Sequence, residues 1–228
     1  MEQFNESALF ELYDAVSAEG GVSLIELRGM LDDFSNRPRS SDDVQAYREG
    51  RKPWKKLHDE IVPVERFLSA TYAGQTIVRF PLNDQPPDAW VTADDGPAVG
   101  IEVTGALARS SVEVAKGLAD GGAAPGFIGL QDDAKQSAFD AARSRKRITH
   151  SRKGIEDSID RSITDRLEAK DKEKFFGQIL LITAPIGSSP GRDLSEMAAR
   201  FEQRAALLPF AQVFLIDSGI GKLLVQLK

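Results

Sequence analysis

The sequence predicts an α/β protein built on a mixed (α+β) sheet, and three observations carry that expectation. Strand-like runs at residues 76–80, 88–91 and 101–104 follow one another with only polar or tight turns between them, as antiparallel neighbours do. Residues 178–183, Gln-Ile-Leu-Leu-Ile-Thr, form a nearly unbroken apolar run, the pattern of a central strand covered on both faces. Helical periodicity brackets that run on both sides, as crossover connections to a parallel partner require.

Taken in order, residues 1–35 read as two helices. Asn5 caps the first, Leu9, Leu12, Tyr13 and Val16 share one face, and Gly20-Gly21 ends it. Ser23 and Glu26 make a capping-box pattern that opens the second, which carries Leu27, Met30 and Leu31. Residues 35–43, with Pro38 and several serines, read as a linker. Helical character resumes over residues 44–73, with interruptions at Pro53 and Pro63; Pro63 suits the first turn of a helix that stops at Gly74. Glu60 and Glu65 lie near the start of that helix, where negative charge favours its dipole.

After the three strands, Gly105 turns the chain into a helix over residues 106–118, and Gly121-Gly122 and Pro125-Gly126 mark a loop. Residues 132–142 lean helical. Ser151 caps a long helix whose inner stripe is Ile155, Ile159, Ile163 and Leu167. Its Asp157, Asp160, Arg161, Asp165, Arg166 and Lys170 make a mixed-charge outer face. A helix over residues 194–208 and strands at 212–216 and 222–226, joined through Ser218-Gly219 or Gly219-Ile220-Gly221, complete the chain.

Of 228 residues, 41% are hydrophobic and 28% charged, ordinary values for a globular protein, and no apolar run approaches a membrane span. The N-terminal Met1-Glu2-Gln3-Phe4-Asn5-Glu6 lacks the basic-then-apolar order of a signal peptide, and no cysteine is present for disulfides or thiolate zinc. A cytoplasmic protein is the simplest reading, and a homodimer is allowed but not specified. The net charge of −6 excludes a generic nucleic-acid coat, although it leaves room for a local basic channel. Arg143, Arg145, Lys146, Arg147, Arg152 and Lys153 form one dense cluster, and Arg48, Arg51, Lys52, Lys55 and Lys56 form a weaker one around Trp54. Solvated helix faces are the ordinary explanation of such runs.

Chemistry concentrates at residues 87–104. Asp94-Asp95-Gly96 suits a three-residue hairpin loop, which pairs Ala93 with Pro97 and, counting back, sets Asp88 opposite Glu102. Both carboxylates then share one face; a two-residue turn instead puts them on opposite faces. Two carboxylates a few ångströms apart repel by roughly 4 kcal/mol at an effective dielectric near 20. A proton, an intervening water or a cation relieves that repulsion. Two carboxylates and a backbone carbonyl, for which Val103 is placed, suit Mg²⁺ or Mn²⁺. The alternative is a solvated hairpin with its acids on the wet face.

The order helix, three strands, helix, long helix, strand, helix, strand, with Pro87-Asp88 at the second strand and Glu102-Val103-Thr104 inside the third, resembles the PD-(D/E)xK nuclease superfamily. The resemblance covers roughly residues 55–228. It implies a restriction-endonuclease-like α-β-β-β-α-β core in residues 53–228, with residues 1–52 as an accessory helical segment. It also implies a Mg²⁺- or Mn²⁺-dependent endonuclease or exonuclease acting on DNA, the ion held by Asp88, Glu102 and the Val103 carbonyl, with Glu65 as a further candidate from the preceding helix.

Thr104 departs from the pattern. A lysine there positions or activates the attacking water in the family, whereas a threonine can hold a water but carries no positive charge. Lys153 and Arg152 at the start of the long helix, with Lys116 in reserve, are the candidates for a migrated cation. Arg145, Lys146, Arg147 and Arg152 are the candidates to guide the DNA backbone. The departure favours a second expectation: a catalytically inactive member of the same fold that binds nucleic acid or protein. A third is an interaction protein whose acidic hairpin holds no ligand. His58 and His150 lack a second histidine at helical spacing, the 187–191 loop lacks the lysine of a nucleotide-binding loop, and no serine stands in a nucleophile elbow.

Overall fold

The computed structural model describes residues 4–93, 96–121, 123–145, 147–219 and 223–228. The expected class is observed: a mixed α/β chain in which seven strands form one sheet and eight α-helices cover it, counted among the described residues. The strands are β1 (Val22–Ser23), β2 (Ile77–Arg79), β3 (Ala89–Thr92), β4 (Val99–Gly105), β5 (Ile179–Ala184), β6 (Gln212–Asp217) and β7 (Leu224–Gln226). They lie in chain order across the sheet, antiparallel from β1 to β4, parallel from β4 to β6, and antiparallel again at β7.

The helices are α1 (Glu6–Ser17), α2 (Leu24–Asn36), α3 (Ser41–Arg48), α4 (Val62–Thr71), α5 (Ala108–Gly121), α6 (Gln136–Arg143), α7 (Arg152–Ala169) and α8 (Leu194–Leu207). Their starts follow local chemistry. The Asn5 side chain accepts from the Ala8 N–H, Ser23 and Glu26 close a reciprocal capping box, and Ser151 accepts from the Gly154 N–H. Pro63 sits in the first turn of α4, after a π-helical turn over Leu57–Ile61.

Two places differ from expectation. The 35–43 segment is not a linker throughout: α2 runs to Asn36, and α3 opens at Ser41, where the Ser40 hydroxyl accepts from the Asp43 N–H. Val22 and Ser23, expected only to join two helices, pair with Val78 and Ile77 and extend the sheet by one strand. Gly21 makes this approach possible: its φ is +65°, and a Cβ there would stand 2.7 Å from the Val78 carbonyl oxygen.

Alternation along the strands divides the core into two layers. Val78, Ala89, Val91, Ile101, Ile179, Leu181 and Phe214 face the N-terminal helices, where Leu9, Val16, Leu27, Phe34, Trp54 and Phe67 are buried in the same cluster. Leu180, Ile182, Val213 and Leu215 face the other way, beneath Ile159, Ile163 and Leu167 of α7 and Met197, Phe201 and Ala205 of α8. The described N-terminal helices, from Phe4 onward, therefore share one continuous core with the sheet. No described helix is long and apolar enough to cross a membrane.

Candidate active site

The β3–β4 ladder settles the geometry on which the carboxylates depend. Ala89 pairs with Ile101, Trp90 with Gly100 and Val91 with Val99, a register that continues to Asp88 opposite Glu102. The turn residues Asp94 and Asp95 lie outside the described residues, but the ladder on either side carries the register without them. Ala89 and Ile101 point into the N-terminal layer, so Asp88 and Glu102 stand together on the opposite face. Glu102 aligns with Leu180, which lies beneath α7. The sheet thus places Glu102 beneath the helix that begins fifty residues later, with Asp88 beside it on the same face.

α7 answers with a cation. Lys170, its C-cap residue, places its Nζ 2.5 Å from Glu102 Oε1. The Glu102 side chain is only 9% exposed, and its second oxygen, Oε2, is buried with no hydrogen-bond partner. Asp88 Oδ2 accepts the Val103 N–H at 2.7 Å. In an extended strand the N–H and C=O of one residue point toward the same edge, so the Val103 carbonyl also faces the Asp88 side. Burial, only partly offset by that hydrogen bond and reinforced by the Glu102 charge, pushes the Asp88 carboxyl up to about 6.

A third carboxylate comes from the other layer. Glu60, in the π-helical turn, accepts from Lys56 Nζ at 2.8 Å, while its Oε2 is buried and unpartnered. Burial pushes Glu60 up to about 7, with the Asp88 charge adding to the shift after the partial relief from Lys56. Burial opposes the charge on Lys56, but Glu60, Asp88 and Asp84 together hold its ammonium above the usual lysine range. These groups line a cleft of about 860 Å³ reached by Thr104, by Arg109 and Lys116 of α5, and by Arg166 of α7.

Asp88, Glu102, Val103 and Thr104 are therefore brought together. Glu65 is not part of this group: it is held by Arg28 at 3.3 Å and by the Ser69 hydroxyl. Lys153 stands at the far end of α7 from Lys170, a separation of roughly 25 Å at 1.5 Å per residue. Arg152 donates to Glu156 at 3.0 Å and to the Gly191 carbonyl at 2.7 Å. Arg145 and Arg147 are exposed outside the cleft, and Lys146 lies outside the described residues. The two histidines have ordinary partners: His58 Nδ1 meets Asp59 at 2.6 Å, and His150 Nε2 meets the Phe127 carbonyl at 3.0 Å.

Lys170 and Glu60 were the residues to find, and helical periodicity held the signal. The stripe of partly buried Ile155 and buried Ile159, Ile163 and Leu167 continues at Lys170 three residues on, which puts that lysine on the inner rather than the outer face. Glu60 likewise follows buried Leu57 by three. Asp160, also expected on the outer face of α7, is 8% exposed and is held by Arg192 and by Arg200 of α8.

Among the described residues no group of three or more His, Asp and Glu side chains is gathered to hold a metal ion. Mg²⁺ asks less of a protein, because one or two carboxylates suffice while water fills the remaining positions. Asp88, the unpartnered Glu102 Oε2 and the Val103 carbonyl meet that demand in ligand type. Compared with known proteins, the chain matches no family model, no curated protein and no solved structure.

Proposed function

We propose that the chain is a Mg²⁺- or Mn²⁺-dependent nuclease that hydrolyses DNA phosphodiester bonds on a restriction-endonuclease-like core. The observation that carries this reading is the pairing of Asp88 with Glu102 on one face of the sheet, with the Lys170 ammonium against Glu102. Asp88, Glu102 and the Val103 carbonyl would hold the ion, which when bound supplies Lewis-acid activation of water and neutralises charge on the phosphate. The raised Asp88 carboxyl supports the reading, since a buried acid that resists ionisation in the bare protein gains most from a cation.

The remaining work falls to side chains of this chain. Lys170 supplies the positive charge that Thr104 lacks and reaches Glu102 from α7 rather than from β4. In this role it offsets the charge of a bound phosphate next to the acids. The Thr104 hydroxyl, on the same face as Glu102, can orient a water toward the scissile bond. Lys56 holds Glu60 in place at the edge of the cleft.

The test is nicking of supercoiled plasmid DNA by purified protein with Mg²⁺ or Mn²⁺, against Asp88→Ala and Glu102→Ala. Activity that requires the ion and disappears in both variants supports the assignment; equal activity in all three samples identifies a contaminant. One observation favours a second reading, a non-catalytic binding module of the same fold. Lys170 already occupies one oxygen of Glu102, and Thr104 stands where a catalytic lysine belongs. Calorimetry then finds no Mg²⁺ or Mn²⁺ binding at millimolar concentration.

A further inference from the structure

Lys170 begins a run, Lys-Asp-Lys-Glu-Lys, that ends at Lys174. Lys170, Lys172 and Lys174 line the cleft, whereas Asp171 and Glu173 do not. A segment with a single net positive charge thereby contributes all its cations, and neither of its anions, to the cleft that holds the carboxylates. The segment is anchored through Phe175, which is 2% exposed and stacks on Phe210 with ring centroids 5.3 Å apart. The ammonium groups of Lys170 and Lys174 lie 5.1 and 4.8 Å from the centroid of the Phe175 ring. Lys170 is engaged with Glu102; Lys172 and Lys174 are exposed and make no ion pair with a described carboxylate.

We propose that Lys172 and Lys174 form a ledge that grips the phosphate backbone of DNA beside Asp88 and Glu102, the role expected from the sequence for Arg145, Lys146, Arg147 and Arg152. The inference rests on the nuclease reading for its choice of ligand. A floor built from Asp88, Glu102 and Glu60 repels a polyanion unless cations offset it nearby. The net charge of −6 supplies no general attraction. The ledge supplies a local one at the mouth of the site, where contacts to phosphate set position rather than sequence preference.

The experiment is fluorescence anisotropy of a labelled 20-base-pair DNA duplex titrated with the full chain in EDTA, so that binding is read without cleavage. The proteins are the natural chain, Lys172→Ala/Lys174→Ala and Arg145→Ala/Arg147→Ala. Loss of two phosphate contacts is expected to weaken binding at least tenfold near 0.1 M salt and to lower the slope of log affinity against log salt by about 1.8. The arginine pair is expected to stay within about twofold of the natural chain, on the same principle that groups outside the contact release no counterions. Equal effects of the two double variants, a larger effect of the arginine pair, or no DNA binding by the natural chain overturns the ledge. Ledge-dependent binding without cleavage in Mg²⁺ leaves the ledge standing and removes only the catalytic reading.

Discussion

Lys170 and Glu102, 68 residues apart, meet at 2.5 Å between the end of α7 and the middle of β4. The contact joins the crossover helix to the strand carrying the acid, and it leaves Glu102 with one oxygen satisfied and one without a partner. Its energetic weight is measurable. Lys170→Met leaves a buried carboxylate without its counter-charge, which costs about 3 kcal/mol. Urea unfolding is expected to show that loss. Lys170→Met/Glu102→Gln is expected to recover about half of it, because neither charge is then stranded. Additive effects of the two substitutions would mean that the groups do not interact.

Asp88, with Glu60, makes stability depend on pH. Its folded carboxyl is raised from 3.8 to about 6, so the folded state binds a proton more tightly than the unfolded chain. The stabilisation linked to that proton is complete below about 4 and is lost as pH rises through 6. Asp88→Asn keeps an acceptor for the Val103 N–H and removes the ionisation. In EDTA at pH 8 it is expected to be more stable than the natural chain by on the order of 2 kcal/mol, with no gain at pH 4. A variant less stable at pH 8 refutes the burial argument.

Divalent ions should reverse that cost. With a dissociation constant near 1 mM, about 10 mM Mn²⁺ adds about 1.4 kcal/mol. For a chain of this size that raises the melting temperature by roughly 3 °C. The shift is expected at pH 8 and absent at pH 5, below both the Asp88 value of about 6 and the Glu60 value of about 7. Glu102→Gln should abolish the shift at pH 8. A shift of the same size in Glu102→Gln places the ion elsewhere.

Asp160 serves as the control for damage outside the site. Its partner Arg192 has a side chain only 6% exposed, with Nη1 already unpartnered. Asp160→Ala strands that guanidinium and is expected to cost about 3 kcal/mol in urea. The Mn²⁺-induced shift, measured at a temperature where the variant is folded, should be unchanged.

Much of the fold was legible because it is written locally. Asn5, Ser23 and Ser151 cap helices through hydrogen bonds that span three residues, and the stripe Ile159, Ile163, Leu167 buries as its period requires. The Asp88–Glu102 register was legible only as one of two alternatives, because a short loop transmits pairing by counting and a two-residue turn shifts it by one; the β3–β4 pairing selects the shared face. The β1 strand was not legible, because a two-residue strand is specified by Val78 and Ile77 across the gap rather than by its own pattern. Glu65 was the candidate from the preceding helix and Glu60 was not, yet the π-helical turn and the packing of α4 give Glu60 to the cleft and Glu65 to Arg28.

By itself the sequence determined the alternation that divides the sheet into two faces and the helix starts. Those are short-range consequences of chirality, periodicity and hydrogen bonding along the chain. The tertiary structure alone decided which cation meets Glu102. Lys153 and Lys170 share one helix and one chemistry. They are separated by roughly 25 Å, and the packing of Ile159, Ile163 and Leu167 on the sheet brings the C-terminal end to Glu102 of β4.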